Sequence, residues 1–191
     1  MYQLPTPRMQ KTYRFFIDAG ADLVVNHHQH CFSGYEFYRE GLIVYGLGNF
    51  CFDWQTRRNR IWNEGYMAEI VFNGNEKMIH LHPYKQGTEE VTVTPMDRVS
   101  KESFDNEIKL LNDIIANPKA LQDSYNNFMT STNTEFRAIL SLYSSRLTTA
   151  LCRRGFLPAL YGDYQLRRIL LNISCESHIE RLIHYINTRL K

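Results

Sequence analysis

Apolar and polar positions follow two different rhythms along the chain. Up to about Pro95, short apolar runs are broken by turn residues; after about Ser100, apolar residues recur at helical spacing almost throughout. Met9, Tyr13, Phe16 and Ile17 fall at i, i+4, i+7 and i+8, which predicts a helix over residues 8–19. Gly20 stands where a left-handed C-terminal cap is wanted. The run Asp22-Leu23-Val24-Val25 then reads as a short buried strand. A helix feeding a buried strand is α/β grammar, and a parallel sheet is its usual consequence.

Two hairpins follow. Tyr35–Tyr38 and Leu42–Tyr45 flank Arg39-Glu40-Gly41, with glycine expected in the turn. Met67–Phe72 and Met78–His82 flank Asn73-Gly74-Asn75, a strong turn signal. Glu90–Thr94 is a further strand candidate, ended by Pro95.

The remainder reads as helical. Phe104, Ile108, Leu111 and Ile115 form one stripe that stops at Asn117, ahead of Pro118. Thr132 and Glu135 make a capping-box pair for a helix that turns Phe136, Ile139, Leu140, Tyr143 and Leu147 inward and closes at Arg153-Arg154-Gly155. Ile179, Leu182, Ile183, Ile186 and Leu190 mark a terminal amphipathic helix. The pattern predicts two regions, residues 1–97 and an all-helical 98–191.

Charge narrows the function classes. The chain of 191 residues carries 22 basic and 20 acidic side chains, a net of +2, without the basic excess of a nucleic-acid binder. Cys31, Cys51, Cys152 and Cys175 have no CxxC spacing and read as free thiols. No stretch approaches the ~20 apolar residues of a membrane-spanning helix. By its own composition the chain reads as cytoplasmic, with the cell envelope or the outside open to a longer protein.

The densest chemistry lies in VVNHHQH, residues 24–30, with three histidines within four positions. In open α/β sheets, ligands bind outside the carboxyl ends of the strands. In an extended chain His28 and His30 point to one side and His27 to the other. Two neutral imidazoles side by side suit one zinc, manganese or iron ion. A catalytic cation generally has three or more protein ligands, so the pair predicts partners elsewhere.

The run AGADLVVNHHQH, the hairpin after it and then LIVYGLGNFCFD resemble the bacterial capsule synthesis (CapA, poly-γ-glutamate) family. The match takes in Gly20, Ala21, Asp22, His27, His28 and His30. It then takes in Tyr45, Leu47, Gly48, Asn49, Phe50, Phe52 and Asp53, and it covers about residues 1–95. The family is similar to calcineurin-like metallophosphoesterases. The resemblance therefore implies a partial β-sandwich of two mixed sheets with a flanking helix, and divalent metals at the strand ends. It maps metal ligation onto His28 and His30, with His27 and Asn49 beside them as catalytic candidates. Against the family pattern, Asn26 stands for glycine, Gln29 for proline and Gly46 for serine. Asn26 tolerates left-handed geometry better than most residues, so the turn is expected to survive.

The family's upstream ligand motifs are not found in this sequence, so the chain reads as the C-terminal part of a family member. The implied activity is a metal-dependent phosphoesterase-like hydrolase or transferase in capsule synthesis. The cation is expected to be weakly held and this fragment inactive alone. The alternative is a non-catalytic remnant or assembly module of exopolymer machinery. Implied partners are an anionic polymer or phosphoester and the membrane proteins of capsule synthesis.

Other features have two readings each. WQTRRNRIW offers Arg57, Arg58 and Arg60 to an anionic substrate, or is a surface loop whose tryptophans pack on the sheet. Asp53 is a base, a ligand or a turn cap; Cys31 is a reactive thiol or a packed one. His80 and His82 share a strand face and read as solvent-facing, and His178 and His184 as surface. A TIM barrel, whose strands also place a His-x-His, needs ~250 residues of alternating units, which the helical second half does not offer.

Overall fold

The computed structural model describes residues 1–52, 60–74, 76–87, 91–132 and 162–190, with positions 147 and 156. It divides into two compact units, Met1–Tyr125 and Asn126–Lys191. The first is mixed α/β, as the alternation of elements predicts.

Helix α1 (Pro7–Asp18) is capped at both ends by its own sequence. Thr6 Oγ1 accepts from the Met9 amide at 3.1 Å, and Pro7 occupies the first turn, where no amide is missed. At the other end Gly20, at φ +104°, donates to the Ile17 carbonyl while Ala21 donates to that of Phe16. The predicted glycine cap is present. The inward face departs from prediction: Ile17 is buried, but Phe16 is 44% exposed and Gln10 is buried instead. Gln10 Nε2 donates to the Ile115 carbonyl at 2.8 Å, satisfying one of the orphan acceptors at the end of another helix.

The first sheet has the order β1-β3-β2. β1 (Leu23–Val25) runs parallel to β3 (Gly41–Val44), with Leu23 opposite Leu42. β2 (Tyr35–Tyr38) pairs antiparallel with β3. Every residue of β3 is buried, which is why it reads as an unbroken apolar run. The β2–β3 turn is Arg39-Glu40, with Arg39 at φ +51°. Gly41, expected in the turn, instead pairs opposite Tyr38 in β3. A Cβ there would lie 2.5 Å from Ile17 Cδ1, so this glycine admits α1 onto the sheet.

A short helix, α2 (Arg60–Asn63), leads into the second sheet. β4 (Glu64–Asn73), β5 (Glu76–Gln86) and β6 (Val93–Pro95) pair antiparallel in that order, and the first two extend beyond the predicted hairpin. Pro95 sits on an edge strand, where no ladder amide is lost. Gly74 takes φ +60° at the hairpin tip. Tyr66, Ala68 and Ile70 share one face of the hairpin with Ile79 and Leu81, while Glu69, His80 and His82 share the other and are exposed. His80 and His82 are thus solvent-facing, as read from the sequence.

Helix α3 (Arg98–Ala116) starts at Asp97, whose carboxylate accepts from the Ser100 amide at 2.9 Å. Its predicted stripe of Phe104, Ile108, Leu111 and Ile115 is buried. The Phe104 ring lies 4.9 Å from that of Phe32 and 5.7 Å from that of Tyr66. Asn117 ends α3 and opens α4 (Pro118–Ser131), its side chain accepting from Lys119 and Ala120. One apolar cluster joins Leu42, Ile43 and Val44 to Tyr66 and the α3 stripe, with Ile70, Ile79 and Leu81 packed against it. The two sheets and α3 therefore share a core.

In the second unit, α5 (Asp163–Ser174) and α6 (Glu176–Arg189) are described; α6 is the predicted terminal helix. Of the predicted helix after the Thr132–Glu135 box, Leu147 is described, and it is 70% exposed rather than turned inward; Phe136, Ile139, Leu140, Tyr143 and Cys152 lie outside the described residues. No helix of the described residues is long and apolar enough to cross a membrane.

Candidate cation site

The chain does not stay extended beyond β1. The Asn26 amide donates to the Val44 carbonyl at 2.9 Å, and its side-chain Nδ2 to the Tyr45 carbonyl at 2.9 Å. Asn26 Oδ1 then accepts from the His28 amide at 3.2 Å, which folds the chain into a turn. The turn survives the replacement of glycine without Asn26 taking left-handed geometry. His30 takes it instead, at φ +58°. Strand alternation is thus not what pairs the two rings. The turn nevertheless brings the His28 and His30 rings to 6.1 Å between centroids, and His27, His28 and His30 are all exposed on it.

His30 has a built seat. Its Nδ1 lies 2.9 Å from Asn49 Oδ1. Its ring stacks on Trp62 at 5.4 Å and 19°, with Phe52 at 5.5 Å. Asn49, 4% exposed, donates from Nδ2 to the His30 and Trp62 carbonyls, each at 3.0 Å. Behind it, Gln86 accepts from the Phe52 amide at 2.9 Å and donates to the Phe52 and Trp62 carbonyls at 3.2 Å. Asn63 Nδ2 donates to the carbonyls of Gln86 and Gly87. Three buried carboxamides thus satisfy the irregular backbone under the ring.

Trp62 reads from the sequence only as a tryptophan packing on the sheet, and Gln86 and Asn63 are not singled out there. They stand 32, 56 and 33 positions beyond His30, and the Gly48–Gly65 bridge, with the Tyr66 amide donating to the Leu47 carbonyl at 2.9 Å, brings β4 to the turn. A turn-like LGN ahead of two phenylalanines was the available signal. Gln29, for its part, donates to the Leu4 carbonyl at 3.4 Å and ties the turn to the segment before α1.

Of the other predicted site residues, Arg57, Arg58 and Asp53 lie outside the described residues. Arg60 Nε lies 3.0 Å from Glu64, and its Nη2 bonds Glu107 of α3. Its guanidinium is engaged by two carboxylates and braces α2 against α3. Cys31 is buried, its thiol donates toward the Tyr2 carbonyl at 3.5 Å, and desolvation pushes its pKa up to about 12. It is a packed thiol rather than a reactive one.

The donor chemistry fits a divalent cation as far as it goes: two neutral-capable imidazoles at one place, one of them held by a second polar group. Among the described residues, however, no group of three or more His, Cys, Asp and Glu could hold a metal ion. A groove of about 1380 Å³ between β5, β6 and α3 is lined by Tyr35, Ile79, His80, Tyr84 and Ile108, and not by the histidine turn. The turn is an open surface.

Glu64, buried beside Arg60, has its carboxyl pKa raised, chiefly by desolvation and against the pull of Arg60 and Lys85. The native state therefore holds this proton more tightly than the unfolded chain does. Stability from this group is full below the ordinary glutamate range and is lost as pH rises through the raised value. Urea unfolding across that range should show Glu64→Gln flattening the loss, with its stability relative to the native sequence rising as pH rises. A difference that does not change with pH would contradict this account of Glu64.

Residues 2–54 match the family described as bacterial capsule synthesis protein PGA_cap. The N-terminal part of this chain is CapA-like. Over 93 residues it is 30% identical to the capsule biosynthesis protein CapA of Bacillus anthracis, and 34% identical to the PGA biosynthesis protein CapA of Bacillus subtilis (strain 168). Each match takes in 49% of this chain but only 19% and 21% of those relatives, so the chain spans about a fifth of their length. The PGA_cap match holds α1, the whole first sheet, the histidine turn and Asn49. Trp62 and Gln86, on which the CapA-like turn rests, lie beyond it.

Proposed function

We propose that this CapA-like chain serves capsule or exopolymer synthesis by presenting His28 and His30 as two ligands of a divalent cation, manganese, zinc or iron. The site would belong to a calcineurin-like, phosphoesterase-type hydrolase or transferase domain. The observation that carries the reading is the pairing of the two rings on an exposed turn at the carboxyl end of a parallel strand. A cation bound there supplies Lewis acidity to a phosphoryl oxygen and acidity to a bound water. The chain's own residues hold and orient the rings; Asn26 shapes the turn and Asn49 anchors it. The substrate is a phosphoester or an anionic polymer, and with Arg60 engaged by two carboxylates, contact with it would fall to Arg57 and Arg58.

Two imidazoles short of a third ligand hold a cation weakly. Calorimetric titration with Zn²⁺ or Mn²⁺ should give affinity weaker than micromolar, abolished in His28→Ala and His30→Ala, with no turnover of a phosphodiester by this chain alone. Micromolar or tighter binding with measurable turnover would overturn the half-site account. The shortage of ligands among the described residues favours a second reading, a non-catalytic assembly module. Binding that persists unchanged in both histidine variants would favour that module.

A further inference from the structure

We propose that Asn49 is a positioning residue that locks His30 in a single tautomer, with the proton on Nδ1 and the lone pair on Nε2. The argument is one of valence. Both hydrogens of Asn49 Nδ2 are committed to the carbonyls of His30 and Trp62, at 3.0 Å each. A carbonyl can only accept, so the amide nitrogen must face these two groups and the amide oxygen must face the imidazole. That oxygen, 2.9 Å from His30 Nδ1, can also only accept. The hydrogen between them therefore belongs to Nδ1, and the lone pair of the neutral ring falls on Nε2.

The rest of the seat keeps the ring from turning away. Trp62 stacks on it nearly parallel, and Phe52 lies against it. Gln86 fixes both aromatic residues through their backbone. His30 is held at φ +58°, a left-handed conformation that histidine, like asparagine and aspartate, takes more readily than most residues. Asn49 grips the same residue by its carbonyl and its ring, so backbone and imidazole are set together. Metal-ligating histidines ordinarily donate their second ring N–H to an acceptor that fixes tautomer and orientation. Here a buried amide meets that requirement, and Asn49 acts through His30 rather than on a substrate. Only the identity of what Nε2 then binds rests on the cation reading above.

Long-range ¹H–¹⁵N spectra of the full chain, free of metal and at alkaline pH, read the tautomer directly. His30 is expected in the Nδ1–H form. Asn49→Ala should shift His30 toward Nε2–H and weaken Zn²⁺ binding about tenfold. The proton found on Nε2 in the unaltered chain would overturn the assignment, as would an unchanged tautomer in a folded Asn49→Ala. The measurement on the unaltered chain needs no variant to fold. Adding Zn²⁺ separates the two claims. If the Nδ1–H form is present and zinc perturbs neither His28 nor His30, the positioning role stands and the cation reading fails.

Discussion

Gly48→Ala is expected to destabilise the first unit by about 2–5 kcal/mol, from strain at a left-handed position and overpacking together. Gly48 has φ +88°. A Cβ added there would also lie 2.7 Å from both the Glu64 carbonyl oxygen and the Gly65 Cα, backbone atoms that cannot swing aside. This is the contact through which β4 reaches the histidine turn, and Asn49 is the next residue. Gly74→Ala is the control: its φ is +60°, but nothing lies within 4 Å of the added atom, so only about 1 kcal/mol is at stake. Gly48→Asn, which tolerates the dihedral but not the contact, should be nearly as damaging as alanine. Urea unfolding of the three variants checks the order. A Gly48→Ala no less stable than Gly74→Ala would remove the close approach as the reason for glycine.

Glu36→Ala should cost about 2–4 kcal/mol. Arg14 grips both carboxylate oxygens of Glu36, at 3.0 and 2.6 Å, and the Tyr45 hydroxyl donates to the same carboxylate. The side chains of Arg14 and Glu36 are 28% and 11% exposed, so the loss falls somewhat short of that for a fully buried pair, ~3–5 kcal/mol. Removing the carboxylate leaves the buried Tyr45 hydroxyl without its acceptor. The effect also reaches the site, because the Tyr45 carbonyl holds Asn26, whose side chain shapes the histidine turn. Glu36→Gln with Tyr45→Phe, measured singly and together, should show coupling, since both changes strip one network. Additive losses would mean that the hydroxyl and the carboxylate act separately.

What the sequence disclosed of this fold is what local chemistry decides. Gly20 caps α1 with groups a few residues away, and the α3 stripe needs only its own period to be found. What stayed hidden depends on partners far along the chain. Gln10 faces inward because Ile115, over a hundred positions on, offers a carbonyl. Gly41 looked like a turn residue because the side chain it admits, Ile17, belongs to a different element. The site divides in the same way. His28, His30 and Asn49 stood out as types in two adjacent blocks and Trp62 as a tryptophan packing on the sheet, whereas Gln86 is an ordinary core residue until the sheet places it beneath His30. Asn26 could be seen to matter, but its side-chain bonds, rather than left-handed geometry, do the shaping.

The central claim is that His28 and His30 act together on one cation. Crystals soaked in Zn²⁺ or Mn²⁺ and measured at the metal's absorption edge test it most directly. The predicted result is one anomalous peak between the two rings, about 2.0–2.2 Å from a nitrogen of each. A peak at His80, His82 and Glu69 on the outer face of the second sheet, with none at the turn, would contradict it.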